Sequence, residues 1–284
     1  MSGTAGDPAV DWLGVRHAPA GPDARIVSLV PSITELLIDL GLARQLVGRT
    51  HYCVHPAEAV RKIPSLGGTK KISIPKLRLL HATHAILNVD ENTQEMAEAV
   101  QAVVPHVVVT HPLGPDDNPP LFRLMGALFG REREAAALVA AYDAARARLA
   151  ELARTLPPRD VLYLIWREPW MAVSRDTYIA RLLALVNWTT LGHDPAARYP
   201  EIALTDDLLA ATDLVLFSTE PYAFAEADVA AFQAAHPDGP PAALIDGEYA
   251  SWYGSRAIAA MDYLARFAAG FAGKPSRARR QGRP

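Results

Sequence analysis

A single cysteine, Cys53, stands in 284 residues, so no disulfide forms within the chain and the fold rests on burial alone. Long apolar runs are missing as well. No stretch reaches the ~18 apolar residues of a membrane span, which argues against a membrane-embedded protein. Residues 1–22 hold Asp7 and Asp11 against Arg16 as their only basic residue, and lack an apolar core of signal-peptide length. They read as neither a signal peptide nor a lipoprotein leader, so the chain as written is expected in the cytoplasm, and in the periplasm if a leader has been removed. Excess positive charge is absent too. The net charge of -3 gives no electrostatic case for nucleic acid, and the basic end Arg277 to Arg283 reads as a solvated, disordered tail. No HExxH, CxxC or phosphate-binding glycine motif occurs, and no nucleophile, base and orienting group assemble from the sequence. No catalytic residue and no obligatory cofactor are therefore assigned, and a binding protein is favoured over an enzyme.

What is present is an alternation. Half the residues are hydrophobic, enough for two domains with separate cores. Short apolar strands are predicted at Arg25 to Val30, Gln45 to Arg49, Ala85 to Asn88 and His106 to Thr110. Helical segments lie between them, with Ser32 and Glu35 spaced as a capping box at the start of the first. From Asn118 the pattern turns helical, and Arg131 to Leu156 is the longest helical stretch, stopped by Pro157-Pro158. Alternation then resumes, with strands at Val161 to Ile165, Leu214 to Ser218 and Ala243 to Asp246 and a last helix over Ser255 to Ala269. The fold class expected is α/β: two Rossmann-like lobes with mostly parallel sheets, joined by one long rigid helix. The expected boundaries are an extension over 1–24, a first lobe over 25–118, a helical connection over 119–157, a second lobe over 158–270 and the tail over 271–284.

The two halves echo one another. Leu79 to Asn88 and Leu208 to Phe217 share a helix end, a turn at Ala-Thr and an apolar strand. Each opens into a polar loop, Val89 to Asn92 in one and Ser218 to Tyr222 in the other. In open α/β sheets ligands bind beyond the carboxyl ends of strands, so a bilobal ligand binder is the first reading.

Two groups of residues could carry chemistry. In the loop His51 to Pro56, an extended chain would put His51, Cys53 and His55 on one face, as ligands for a metal or a metal chelate. The competing reading is a helix-capping histidine and a small buried thiol. With aromatics only 7% of the chain, their clustering in the second half is informative. Trp166, Trp170, Tyr199, Tyr222, Trp252 and Tyr253 fall in loops after strands, where they offer rigid apolar area to a planar or bulky ligand. Arg167, Arg198 and Glu220 could meet its polar groups.

The order Arg25 to Leu37 resembles the opening of the helical-backbone (class III) solute receptors of bacterial ABC importers. The cobalamin-binding branch is most similar, through its Pro-Ser/His-x-Thr-Glu pattern at Pro31 to Glu35 and its Val-Gly-x-Thr/Ser-x-Tyr loop at Val47 to Tyr52. Aromatic loops match at Tyr163 to Trp170 and Asp246 to Ser255, and the likeness extends over about Asp11 to Ala269. It implies capture of a metal chelate, a corrinoid such as cobalamin above all, between the lobes, followed by delivery to an ABC permease. Carried over by position, Pro31, Ser32, Tyr52, Trp166, Trp170, Tyr199 and Trp252 would line the site. Glu95 and Asp206 stand nearest the acidic residues through which such receptors dock. Three features depart from the pattern: the missing export signal, Cys53 with its flanking histidines, and Asn187-Trp188 where relatives often have glycines. The alternative is a cytoplasmic metal- or cofactor-binding protein, or an enzyme, that uses the His51, Cys53 and His55 loop.

Overall fold

Ile26, Val27 and Ser28 are fully buried, and their β-branched, apolar character suits a central strand, β1 (Ile26–Ser28). Pro31 ends it and begins α1 (Pro31–Asp39), where a missing N–H costs nothing because the first helical N–H has no intrahelical partner. The expected capping box does not form. Val30 is the N-cap, Ser32 is buried inside the first turn, and no side chain caps the helix. Glu35 is instead engaged by Arg256, as described below. The structure, a computed structural model, describes residues 9–273. Of the expected tail, residues 274–284 lie outside that range.

The described chain divides into two units. Unit 1 takes residues 9–112, 116–142 and 253–256; unit 2 takes 113–115, 143–252 and 257–273. In unit 1, β2 (Leu46–Arg49), β1, β3 (His84–Asn88) and β4 (His106–Thr110) pair in that order, all parallel. The crossovers are made by α1, by α2 (Ala57–Val60) with α3 (Ile74–Leu79), and by α4 (Gln94–Gln101). Val27, Leu29, Ala85 and Leu87 meet Leu77 of α3 and Met96 and Val100 of α4 in one cluster. Steps from β1 to β2 and from β3 to β4 run in opposite directions across the sheet. Right-handed crossovers therefore place α1 on one face and α4 on the other, with the switch point between β1 and β3.

Residues 9–17 are tied to the open edge of this sheet. Asp11 Oδ2 accepts the Val109 N–H at 3.0 Å, and Trp12 N–H donates to the Val109 carbonyl at 3.0 Å. Asp11 Oδ1 holds the turn by accepting from Leu13 and Val15 N–H, and His17 Nε2 lies 3.1 Å from Oδ2. After β4 come a short 3-10 turn at Pro115–Asp117, then α5 (Asn118–Phe129), ended by Gly130 at φ 63°, and α6 (Glu132–Ala153). The expected stretch Arg131 to Leu156 is thus a helix of 22 residues, ~33 Å long, which passes from unit 1 to unit 2 between Tyr142 and Asp143.

Unit 2 repeats the plan. Its strands β5 (Arg159–Trp166), β8 (Leu214–Ser218) and β9 (Ala242–Ile245) are parallel, and β5 is joined on its other side by β6 (Met171–Ala172) and β7 (Trp188–Thr190). Only β6 is antiparallel. The helices are α7 (Tyr178–Ala184), α8 (Asp206–Ala211), α9 (Glu226–Ala235), α10 (Gly247–Ser251) and α11 (Arg256–Ala269). Leu162 and Leu164 of β5 and Val215 and Phe217 of β8 pack with Leu209 of α8 and Phe232 of α9. The switch point here lies between β5 and β8. Asn187 precedes β7 at φ 63°, a left-handed conformation that asparagine tolerates where glycine is the usual choice. Among the described residues no helix is long and apolar enough to cross a membrane.

Candidate functional site

At the carboxyl ends of β5 and β8 the chain builds an aromatic and acidic platform. Trp166 ends β5 with 40% of its surface exposed, and the Tyr222 ring meets it edge-on at 5.4 Å. Glu220 Oε2 accepts the indole N–H of Trp252 at 3.0 Å. The backbone of Glu220 is itself fixed by Ser218, whose hydroxyl donates to the Glu220 carbonyl at 2.6 Å and accepts the phenol of Tyr163 at 3.0 Å. Tyr163 lies on the sheet beneath, and burial pushes its phenol up, out of reach of titration near neutrality. Gly247 is required by this arrangement. A Cβ there would stand 2.6 Å from the Glu220 nitrogen and 2.7 Å from Ser218 Oγ. Asp246 then caps α10 through the Tyr249 N–H.

Other residues of the aromatic set serve elsewhere. Trp170 stacks on Phe224 at 6.1 Å and meets Phe217 edge-on, so its ring belongs to the packing of unit 2. Arg167 pairs with Asp228 at 3.0 Å. The Arg198 guanidinium lies over the Tyr199 ring, 5.8 Å from its centroid, and Tyr199 is 38% exposed. Tyr253 is buried in unit 1, beside Gly254, whose N–H donates to Asn118 Oδ1 at 2.7 Å. Gly254 has φ 87°, and a Cβ on it would lie 3.1 Å from the Ser32 carbonyl, so the sequence-distant Ser32 and Tyr253 segments meet.

In unit 1 the corresponding end carries Pro31 and Ser32 after β1 and Val89 to Asn92 after β3. Both asparagines tie this last loop down. Asn88 Oδ1 accepts from the Asp90 and Glu91 N–H groups, while Asn92 Nδ2 donates to the Leu29 and Thr69 carbonyls. Lys70 Nζ donates to the Asp90 carbonyl at 2.6 Å. Glu91 is partly buried, and burial raises its carboxyl above the usual range, with Lys70 pulling down and Asp90 pushing up. Sequence reasoning passed over Glu91, although the 129-residue offset of the internal echo pairs it with Glu220.

The loop after β2 does not gather three ligands. Cys53 is turned inward, 1% exposed, with Thr34 Oγ1 at 3.0 Å and Thr50 Oγ1 at 3.2 Å. His51 and Tyr52 are exposed and lie against each other at 4.1 Å. An extended loop would have aligned His51, Cys53 and His55, but the turn at Thr50–Cys53 breaks the alternation. Among the described residues no three His, Cys, Asp or Glu side chains come together to hold a metal. Glu95 and Asp206 are exposed in the first turns of α4 and α8, helices capped by Thr93 and Thr205. Hydrogen bonds from its own backbone N–H and from Thr93 hold the Glu95 carboxyl below its usual range.

Comparison with known proteins follows this geometry. The crystal structure of the periplasmic vitamin B12 binding protein BtuF of Vibrio cholerae superposes with a TM-score of 0.76 at 17% identity, covering 89% of this chain and 99% of that one. The apo form of the periplasmic heme-binding protein RhuT from Roseiflexus sp. RS-1 gives 0.73 at 22% identity, with 88% and 99% covered. The periplasmic heme-binding protein BhuT, in complex with two hemes, gives 0.75 at 18% identity, with 87% and 98% covered. No relative among functionally curated proteins matches the sequence. At these identities the likeness establishes the fold: two α/β units with parallel sheets, as the alternation of strands and helices implied. The sequence pattern of one family, the periplasmic binding proteins, matches residues 26–194, more than half of the 284. With that match lying across β1 to β7 and the fold agreeing beyond it, the chain belongs to the periplasmic binding protein family.

Proposed function

We propose that this chain is the solute-binding component of an ABC importer, and that its solute is a metal chelate, specifically a corrinoid. The observation that carries the reading is the platform of Trp166, Tyr222, Glu220 and Trp252 at the switch point of unit 2. A broad, flat macrocycle needs rigid apolar area with a few placed polar groups, and these four residues supply both. Capture is non-covalent, followed by delivery to a membrane permease, for which Glu95 and Asp206 are the proposed contacts. On this reading the working compartment is the periplasm, as for a chain whose leader has been removed.

Haem is the competing chelate, because the structural neighbours include heme-binding proteins as well as a vitamin B12 binding protein. The test is calorimetric titration of the full chain with cyanocobalamin, aquocobalamin, haemin and zinc. Corrinoid binding with a Kd of about 1 μM or below, near one per chain, is the expected result. Silence toward both corrinoids overturns the proposal. One zinc per chain in that case would return attention to the His51, Cys53 and His55 loop.

A further inference from the structure

We infer that Glu91 is the residue with which unit 1 meets the solute, and that it selects a chelate rimmed with neutral amides over one rimmed with carboxylates. The inference deepens the corrinoid reading and rests on it. Its first support is topological. Glu91 follows β3, which neighbours β1 at the switch point of unit 1, the place where open α/β sheets receive ligands. Its second is the internal echo. Leu79 to Asn88 matches Leu208 to Phe217 at an offset that sets Glu91 upon Glu220, so a glutamate occupies the same position at both switch points.

The two glutamates differ in one respect. Glu220 is satisfied by the indole of Trp252, whereas the Glu91 carboxyl receives no hydrogen bond among the described residues. The nearest cation, Lys70, donates to the Asp90 carbonyl instead. The carboxyl is thus desolvated on a loop held by Asn88 and Asn92, a costly placement unless a bound group completes it. Ionised, it accepts an amide N–H; protonated, it donates to an amide carbonyl. Both suit the amide side chains around a corrin ring. The propionates of a haem would instead face a like charge.

The experiment titrates full-length wild type, Glu91→Gln, Glu91→Leu and the exposed control Glu98→Gln with cyanocobalamin and with haemin. Thermal unfolding is recorded for each. Wild type and Glu98→Gln should prefer cyanocobalamin. Glu91→Gln, which keeps the hydrogen bond, should stay within about three-fold of wild type, and Glu91→Leu should lose ten-fold or more. Haemin should bind more tightly to both Glu91 variants than to wild type. Unchanged cyanocobalamin affinity in a folded Glu91→Leu overturns the inference and leaves the corrinoid reading standing. Preference of the wild type for haemin, or binding of neither ligand, overturns the reading and the inference together.

Discussion

Arg256 grips Glu35 with two parallel hydrogen bonds, Nε to Oε2 at 2.8 Å and Nη2 to Oε1 at 2.9 Å, across 221 positions of sequence. Both side chains are largely buried, at 11% and 16% exposed. The pair fastens the first residue of α11 to α1, and so fixes Gly254 and Tyr253 against the Ser32 end of that helix. Fork-to-fork pairing of this kind is specific to arginine. Arg256→Met leaves a partly buried carboxylate without its partner, and should lower stability by about 2–4 kcal/mol in denaturant titration. The double variant Arg256→Met, Glu35→Leu should recover part of that loss. If the double variant is no more stable than the single, the ion pair is not the source of the effect.

Trp166 is the exposed member of the platform in unit 2, and its removal leaves the core untouched. Trp166→Ala should weaken corrinoid binding by about ten-fold, the loss of one stacked ring and its buried area. Trp252→Ala should cost as much in affinity and, because that ring is 8% exposed, also in stability. Calorimetry of folded Trp166→Ala reads the first effect alone. Equal affinity for the variant and the wild type would remove this face from the binding site.

His84 supplies a dependence on pH. It is buried at the start of β3, stacked on His106 at 4.8 Å, beside Phe129, with Thr83 Oγ1 at 2.8 Å and His17 within electrostatic reach. Burial lowers its pKa to about 4, and the two histidines lower it further. A base depressed in the folded state is neutral there and protonated first when unfolded. Its contribution is therefore intact above the ordinary histidine value and is lost as pH falls from about 6.5 toward 4, on the order of 2 kcal/mol in all. Denaturation midpoints measured from pH 7.5 to 4 should fall across this window. In His84→Gln the fall should be shallower, and an unchanged slope would assign the acid sensitivity to other groups.

Cys53 is packed with Thr34 and Thr50, and burial pushes its thiol up. A thiol that is both hidden and protonated reacts slowly. Colorimetric thiol titration at pH 8 should show little reaction in the native chain and one equivalent on unfolding. Rapid native labelling would mean that the loop opens, and would revive Cys53 as a metal ligand.

Much of this fold was legible because its strands are short, apolar runs bounded by polar turns, as in Ile26–Ser28 and Leu214–Ser218. Two- and three-residue strands such as Met171–Ala172 and Trp188–Thr190 were not, since a period of two cannot show itself over so few residues. The Ser32–Glu35 spacing misled for a different reason: Pro31 took the first helical position, and a residue from the far end of the chain claimed Glu35. Within the candidate site, the aromatics announced themselves by clustering. Glu91 did not. A glutamate in a polar loop looks the same whether it faces water or a protein wall, and only its desolvation in three dimensions separates the two.

The fastening of Asp11 and Trp12 to Val109 gives the segment before β1 a role beyond that of a lead-in. An outer β-strand left bare is a template on which a second molecule can add its own strand, the first step toward clumping. Here the chain places its own backbone and one carboxylate over that template. A version trimmed to begin at Arg25 would retain every strand and helix of unit 1, yet would present a sticky margin to its neighbours. Yield and shelf life in concentrated solution, rather than ligand affinity, are where that trimming would be felt.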